Sequence, residues 1–104
     1  MKPYYSEYVR HCLRYYAKTL DEGMGGHPVF KNDIDRENWS ACYNILKHYT
    51  PDKMEIICEV YRPGGDTISD KIYQLSLAKR VPQDTIWNLI NMTERKIAKK
   101  RGLL

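Results

Sequence analysis

Residues 67–104, TISDKIYQLSLAKRVPQDTIWNLINMTERKIAKKRGLL, decide how this chain is read. Apolar positions recur at Ile68, Ile72, Leu75 and Ala78, stop at Val81-Pro82, and resume at Ile86, Leu89, Ile90, Thr93 and Ile97. Steps of three and four residues are the mark of helices with one inward face, so the stretch predicts two helices joined by a short turn. Thr67 or Ser69 can cap the first helix. Pro82 cannot continue it and starts the second, which can run as far as Arg101. Charge is the other feature: residues 67–104 hold eight basic side chains and three acidic ones, whereas the rest of the chain holds nine and ten. A helix pair with an apolar inner face and a cationic end suits a polyanion.

Working towards the N-terminus, the same period persists. Thr50-Pro51-Asp52 combines a capping hydroxyl, proline at the first helical position and a carboxylate at the positive end of the helix dipole. Met54, Ile57, Cys58 and Tyr61 line that helix, Ile56 and Val60 widen its face, and Pro63-Gly64-Gly65-Asp66 closes it. Before it, Asp33 or Asp35 can cap a helix with Trp39, Cys42, Tyr43, Leu46 and Tyr49 on its inner side. Residues 4–20 place Tyr5, Tyr8, Val9, Cys12, Leu13, Tyr16 and Leu20 on one face, ending near Asp21 ahead of Gly23, Gly25, Gly26 and Pro28. Residues 23–32 read as a crossover loop with Val29 and Phe30 as its anchor. No segment alternates with period two over a useful length. The expectation is an all-α single domain, 1–104, of about five helices, in an N-terminal part (1–49) and a C-terminal part (50–104).

Composition excludes more than it assigns. With 42% hydrophobic and 29% charged residues, the chain can bury one modest core. No apolar run approaches the ~18 residues of a membrane span. Glu7, Arg10, His11 and Arg14 interrupt any secretory signal, so a cytoplasmic location with no membrane partner is expected. Cys12, Cys42 and Cys58 lie on apolar stripes at wide spacing, without the C-x-x-C pairs of a zinc site, and His11, His27 and His48 do not complete one. Neither metal nor cofactor is expected. The glycine-rich loop lacks the strand and the Lys-Ser or Lys-Thr helix of a phosphate loop. Glu55 and Glu59 read as solvated charges, and Ser40, Ser69 and Ser76 have no evident base, so an enzyme is not expected.

From Tyr49 onward the chain resembles the region-four DNA-binding module of bacterial sigma factors and of small phage-type transcriptional regulators. Pro51, Ile57 and Tyr61 in PDKMEIICEVY match its proline-started helix. Val81, Thr85 and Ile86 in RVPQDTI match its turn and the start of its recognition helix, and ERKIAKKRGLL is similar to the basic close of prophage regulators. The sequence departs from the family where Arg80 stands for a glycine, Lys79 for an apolar residue, Ser76 for alanine and Pro82 for the capping serine. The resemblance covers roughly half the chain. It implies that the last two helices form a helix-turn-helix and that the partner is double-stranded DNA.

On that basis the outer face of the fifth helix would read bases. Asparagine and glutamine pair with adenine and arginine with guanine, which assigns Gln83, Asn88, Asn91 and Arg95 to base edges. Lys79, Arg80, Lys96, Lys99, Lys100 and Arg101 are assigned to phosphates. A helix C-terminus attracts cations by itself, but five in the seven residues 95–101 exceed that need. Asp84 would repel phosphate unless it accepts from cytosine, and Trp87 is open to a dimer contact or the DNA backbone, with packing against the core as the first choice. One helix reads few base pairs, so a homodimer is expected, with the Tyr-rich first helix as a source of interface. The rival expectations are a helical adaptor that binds RNA polymerase or a phage protein and never touches DNA, and a small DNA-packaging subunit. Helix-five residues covered by the protein's own N-terminal helices would favour the adaptor.

Overall fold

Three of the helices start where a side chain replaces a missing intrahelical partner. In the computed structural model, which describes residues 3–22, 29–62, 64 and 66–104, the helices are α1 (Ser6–Asp21), α2 (Asp33–Leu46), α3 (Pro51–Tyr61), α4 (Ile68–Lys79) and α5 (Gln83–Lys100). The fold is all-α, with no strand among the described residues. Thr50 and Thr67 cap α3 and α4, accepting from the N–H groups of Lys53 and Asp70. The cap of α2 is Asn32 rather than Asp33 or Asp35. Its extended backbone lets the side chain accept from Asp35 N at 2.8 Å, and this leaves both aspartates in the first turn, where the helix dipole favours them. Residues 23–28, the larger part of the expected crossover loop, and Pro63 and Gly65 of the α3–α4 connection lie outside the described residues.

The core draws on all five helices. Val9, Cys12, Leu13 and Tyr16 of α1 meet Trp39, Cys42 and Leu46 of α2, Ile57, Val60 and Tyr61 of α3, Ile72 of α4, and Ile86, Ile90 and Ile97 of α5. α5 packs against each of the other four helices, whereas α4 packs chiefly on α3 and α5. The radius of gyration, 13.3 Å, matches the ~13 Å of a compact chain of this length.

That layout explains where side chains depart from their expected faces. Only Ile72 of α4 is fully buried; Ile68 and Leu75 are half-buried, Ala78 is exposed, and Tyr73 and Leu77 face solvent one turn apart. A helix held by two neighbours at the edge has a narrow inner stripe. Tyr43 is exposed at its edge but stacks on Trp39 at 5.3 Å between ring centroids and 10° between planes. Phe30 packs on Trp39 as expected, while Val29 is 81% exposed and anchors nothing.

Among the described residues, no buried side-chain nitrogen or oxygen lacks a hydrogen-bond partner. Trp39 Nε1 donates to Thr19 Oγ1, which donates to the Tyr16 carbonyl, both at 2.8 Å. Thr93 Oγ1 donates to the Leu89 carbonyl, so the Tyr49 hydroxyl is the donor in its 2.6 Å bond to Thr93. Glu94, 3% exposed, accepts from Arg10 Nε at 2.9 Å and from the Tyr61 hydroxyl. A charge this deep persists because it is paired and hydrogen-bonded.

Candidate nucleic-acid interface

The α4–α5 junction is three residues long, Arg80, Val81 and Pro82. Arg80 has φ 56° and ψ 43°, the left-handed conformation that glycine usually supplies and the only positive φ among the described non-glycine residues. The N–H groups of Arg80 and Val81 both reach back to the Ser76 carbonyl, Val81 at 3.2 Å. This is a left-handed cap that satisfies the end of α4. The Ser76 hydroxyl donates to the Val81 carbonyl, which gives the polar residue at this position a job that alanine could not do. Pro82 is extended and precedes α5 without a side-chain cap. Arginine at position 80 thus adopts the left-handed conformation itself.

Beyond that turn, Gln83, Asn88, Asn91 and Arg95 are all exposed, and none has a hydrogen-bond or ion partner among the described residues. They fall into two neighbourhoods. Asn88 faces α3 across an open apolar cleft of about 390 Å³ formed with Lys53, Ile56, Val81, Leu89 and Met92. Asn91 and Arg95 border a second cleft, formed with the start of α1 (Pro3, Tyr5, Arg10) and half-buried Trp87. Trp87 thus packs against the core and walls this cleft. Asp84 stands exposed in the first turn of α5.

The six expected phosphate contacts divide as well. Lys96, Lys99 and Lys100 are exposed and have no carboxylate partner among the described residues. Arg80 is exposed in the turn. Lys79, in contrast, pairs with Glu55 at 3.1 Å. Arg101 is held by Asn38 Oδ1 at 2.8 Å and Glu37 at 3.2 Å, and Tyr8, which also donates to Asn38, helps hold its guanidinium charged. Arg101 thus ties the end of α5 to α2. Nothing in the linear order of residues 95–101 separates Arg101 from its neighbours; the signal lies in Glu37 and Asn38, more than sixty residues away.

Two features escaped the sequence reading. His48 and Lys53 share a cleft of about 380 Å³ with Lys96, Tyr49 and Asn44. The other is the buried Arg10–Glu94–Tyr61 cluster, whose members are far apart in sequence, with Glu94 placed among polar and basic neighbours.

For chemistry the molecule offers less. No group of three or more His, Cys, Asp or Glu side chains that could hold a metal occurs among the described residues. Burial pushes the Cys12 thiol up to about 11 and raises those of Cys42 and Cys58, so all three are protonated and poor nucleophiles near neutrality. No described helix is long and apolar enough to cross a membrane. Compared with protein-family models, curated proteins and solved structures, the chain matches none.

Proposed function

We propose that the protein is a sequence-specific, double-stranded-DNA-binding regulator of transcription that uses α4, the Arg80–Pro82 turn and α5 as a helix-turn-helix, in the manner of sigma region four and phage-type regulators. The observation that carries this is the outer strip of α5: Gln83, Asn88, Asn91 and Arg95 are exposed and unpartnered directly after a tight left-handed turn. Exposed amides and a guanidinium on one helix are the groups that make paired hydrogen bonds to base edges in a major groove. The N-terminal helices, which would have favoured the adaptor by covering these residues, leave them open. Lys96, Lys99 and Lys100 supply cations for phosphates, which position the helix without reading sequence. Arg101 and Lys79 are already neutralised by Glu37 and Glu55 and contribute little.

One observation favours a second function, a helical adaptor for RNA polymerase or a phage protein. The apolar cleft between α3 and α5, with Met92 exposed on its rim, could take an apolar side chain of a protein partner. Selection from random duplex DNA with the purified protein separates the two. A DNA-reading protein enriches a defined short sequence; an adaptor enriches none.

A further inference from the structure

We infer that the corner where α2 meets α3 is a second contact for the duplex backbone, with phosphates of double-stranded DNA seated between His48, Lys53 and Lys96. This rests on the DNA-binding function proposed above and adds to it His48 and Lys53, which lie outside the helix pair.

The inference comes from sorting the cations by what already neutralises them. Arg10, Lys18, Arg36, Arg62, Lys79 and Arg101 each stand within 4.0 Å of a carboxylate. Their charges serve the fold or are cancelled at its surface. Of the bases without such a partner among the described residues, Arg14, Lys31, Lys71 and Arg80 lie elsewhere, Lys71 donating to the Arg62 carbonyl, whereas Lys47, Lys53, Arg95, Lys96, Lys99 and Lys100 belong to the end of α2, the start of α3 and the outer side of α5.

Two of these lysines converge. Lys53 and Lys96, from helices forty-three residues apart in sequence, line one open cleft with His48, and no carboxylate lines it. Glu55, the nearest acid on α3 in the C-terminal direction, is taken by Lys79, and Asp52 does not face the cleft. Lys96 Nζ sits 5.7 Å from the Tyr49 ring centroid, and Lys47 Nζ 5.6 Å from that of Tyr43. A ring face attracts an ammonium without cancelling its charge, so both lysines are held at the surface as full cations. Asn44 and Thr50 add neutral hydrogen-bonding groups to the same walls.

Position links this corner to the reading strip. Lys53 and Met92 line both the cationic cleft and the apolar cleft that contains Asn88 and Thr85. A continuous surface therefore runs from the α4–α5 turn, along the α3 side of α5, to His48. A duplex whose groove admits Asn88 brings its flanking backbone over Lys53 and Lys96. Phosphates carry the negative charge this acid-free cleft lacks, and contacts of this kind fix register without discriminating bases.

The test is the salt dependence of binding to a short random-sequence duplex, for the wild type, Lys96→Gln, Lys53→Gln/Lys96→Gln and Lys31→Gln. Lys31 is exposed and unpaired like the other two, but lies beyond the opposite end of α2, a helix ~20 Å long. If the corner holds phosphates, the double variant flattens the slope of log K against log salt by ~1 beyond the loss from Lys96→Gln alone, at unchanged circular dichroism and Tm, and Lys31→Gln leaves the slope as it is. Equal slopes for Lys96→Gln and the double variant, or a loss from Lys31→Gln as large as the one Lys53→Gln adds, overturn the inference while leaving DNA binding in place. Failure of the wild type to bind any duplex removes both.

Discussion

At the scale of single residues, Glu94 is the most consequential side chain the sequence did not single out. It is the buried acceptor that joins α1, α3 and α5 through Arg10 and Tyr61. Removing one member of a buried ion pair strands the other charge in the core, at a cost of ~3–5 kcal/mol. Glu94→Ala should therefore lose a large part of a stability that for small domains is only ~5–15 kcal/mol. Tyr61→Phe, which deletes one hydrogen bond to a charged group, should lose about 1.5–3 kcal/mol. Urea denaturation checks both, and a cost below about 1 kcal/mol for Glu94→Ala would mean that the carboxylate is solvated. Residues of this kind are hard to read from the chain. Glu94 sits between Thr93 and Arg95 in a basic, polar stretch, and only the positions of Arg10 and Tyr61 reveal its role. The apolar core was legible for the opposite reason: Val9, Cys12, Ile57, Ile72, Ile90 and Ile97 announce themselves by period alone.

At the scale of elements, proline, threonine and glycine punctuation located the helices, and the starts of α3 and α4 fall where Thr50-Pro51 and Thr67 put them. The α4–α5 turn is less legible, because arginine at position 80 gives no hint of a left-handed residue. Backbone bonding of two N–H groups to Ser76 imposes it. A side-chain-bearing residue in this conformation costs ~1–2 kcal/mol, and glycine relieves most of that at an entropic cost of ~0.5–1 kcal/mol. Arg80→Gly should therefore raise stability by about 0.5–1 kcal/mol, seen as a higher urea midpoint at unchanged m value. A lower midpoint would show that Arg80 has negative φ in solution. The edge position of α4 explains why its stripe was read too wide. Sequence period cannot tell a helix with two neighbours from one with four.

At the scale of the whole molecule, charge is sorted rather than merely abundant. Carboxylates neutralise Arg10, Arg62, Lys79 and Arg101, while Lys47, Lys53, Arg95, Lys96, Lys99 and Lys100 stay without one along α5 and the α2–α3 corner. The sequence showed the excess of positive charge but not its direction. Ion pairs such as Arg101–Glu37 join residues 64 apart, so the free cations can be counted only in the folded chain. The same fold leaves the amides of α5 open beside the turn, and the proposed function depends on them. The most direct test titrates wild type and Asn88→Ala, by fluorescence anisotropy at one salt concentration, against the duplex recovered by selection and a scrambled duplex of equal length. Loss of paired hydrogen bonds to a base should weaken Asn88→Ala on the selected duplex by ~1–3 kcal/mol and leave the scrambled duplex nearly unaffected. Undiminished preference for the selected duplex in a folded Asn88→Ala protein would contradict base reading by this face of α5.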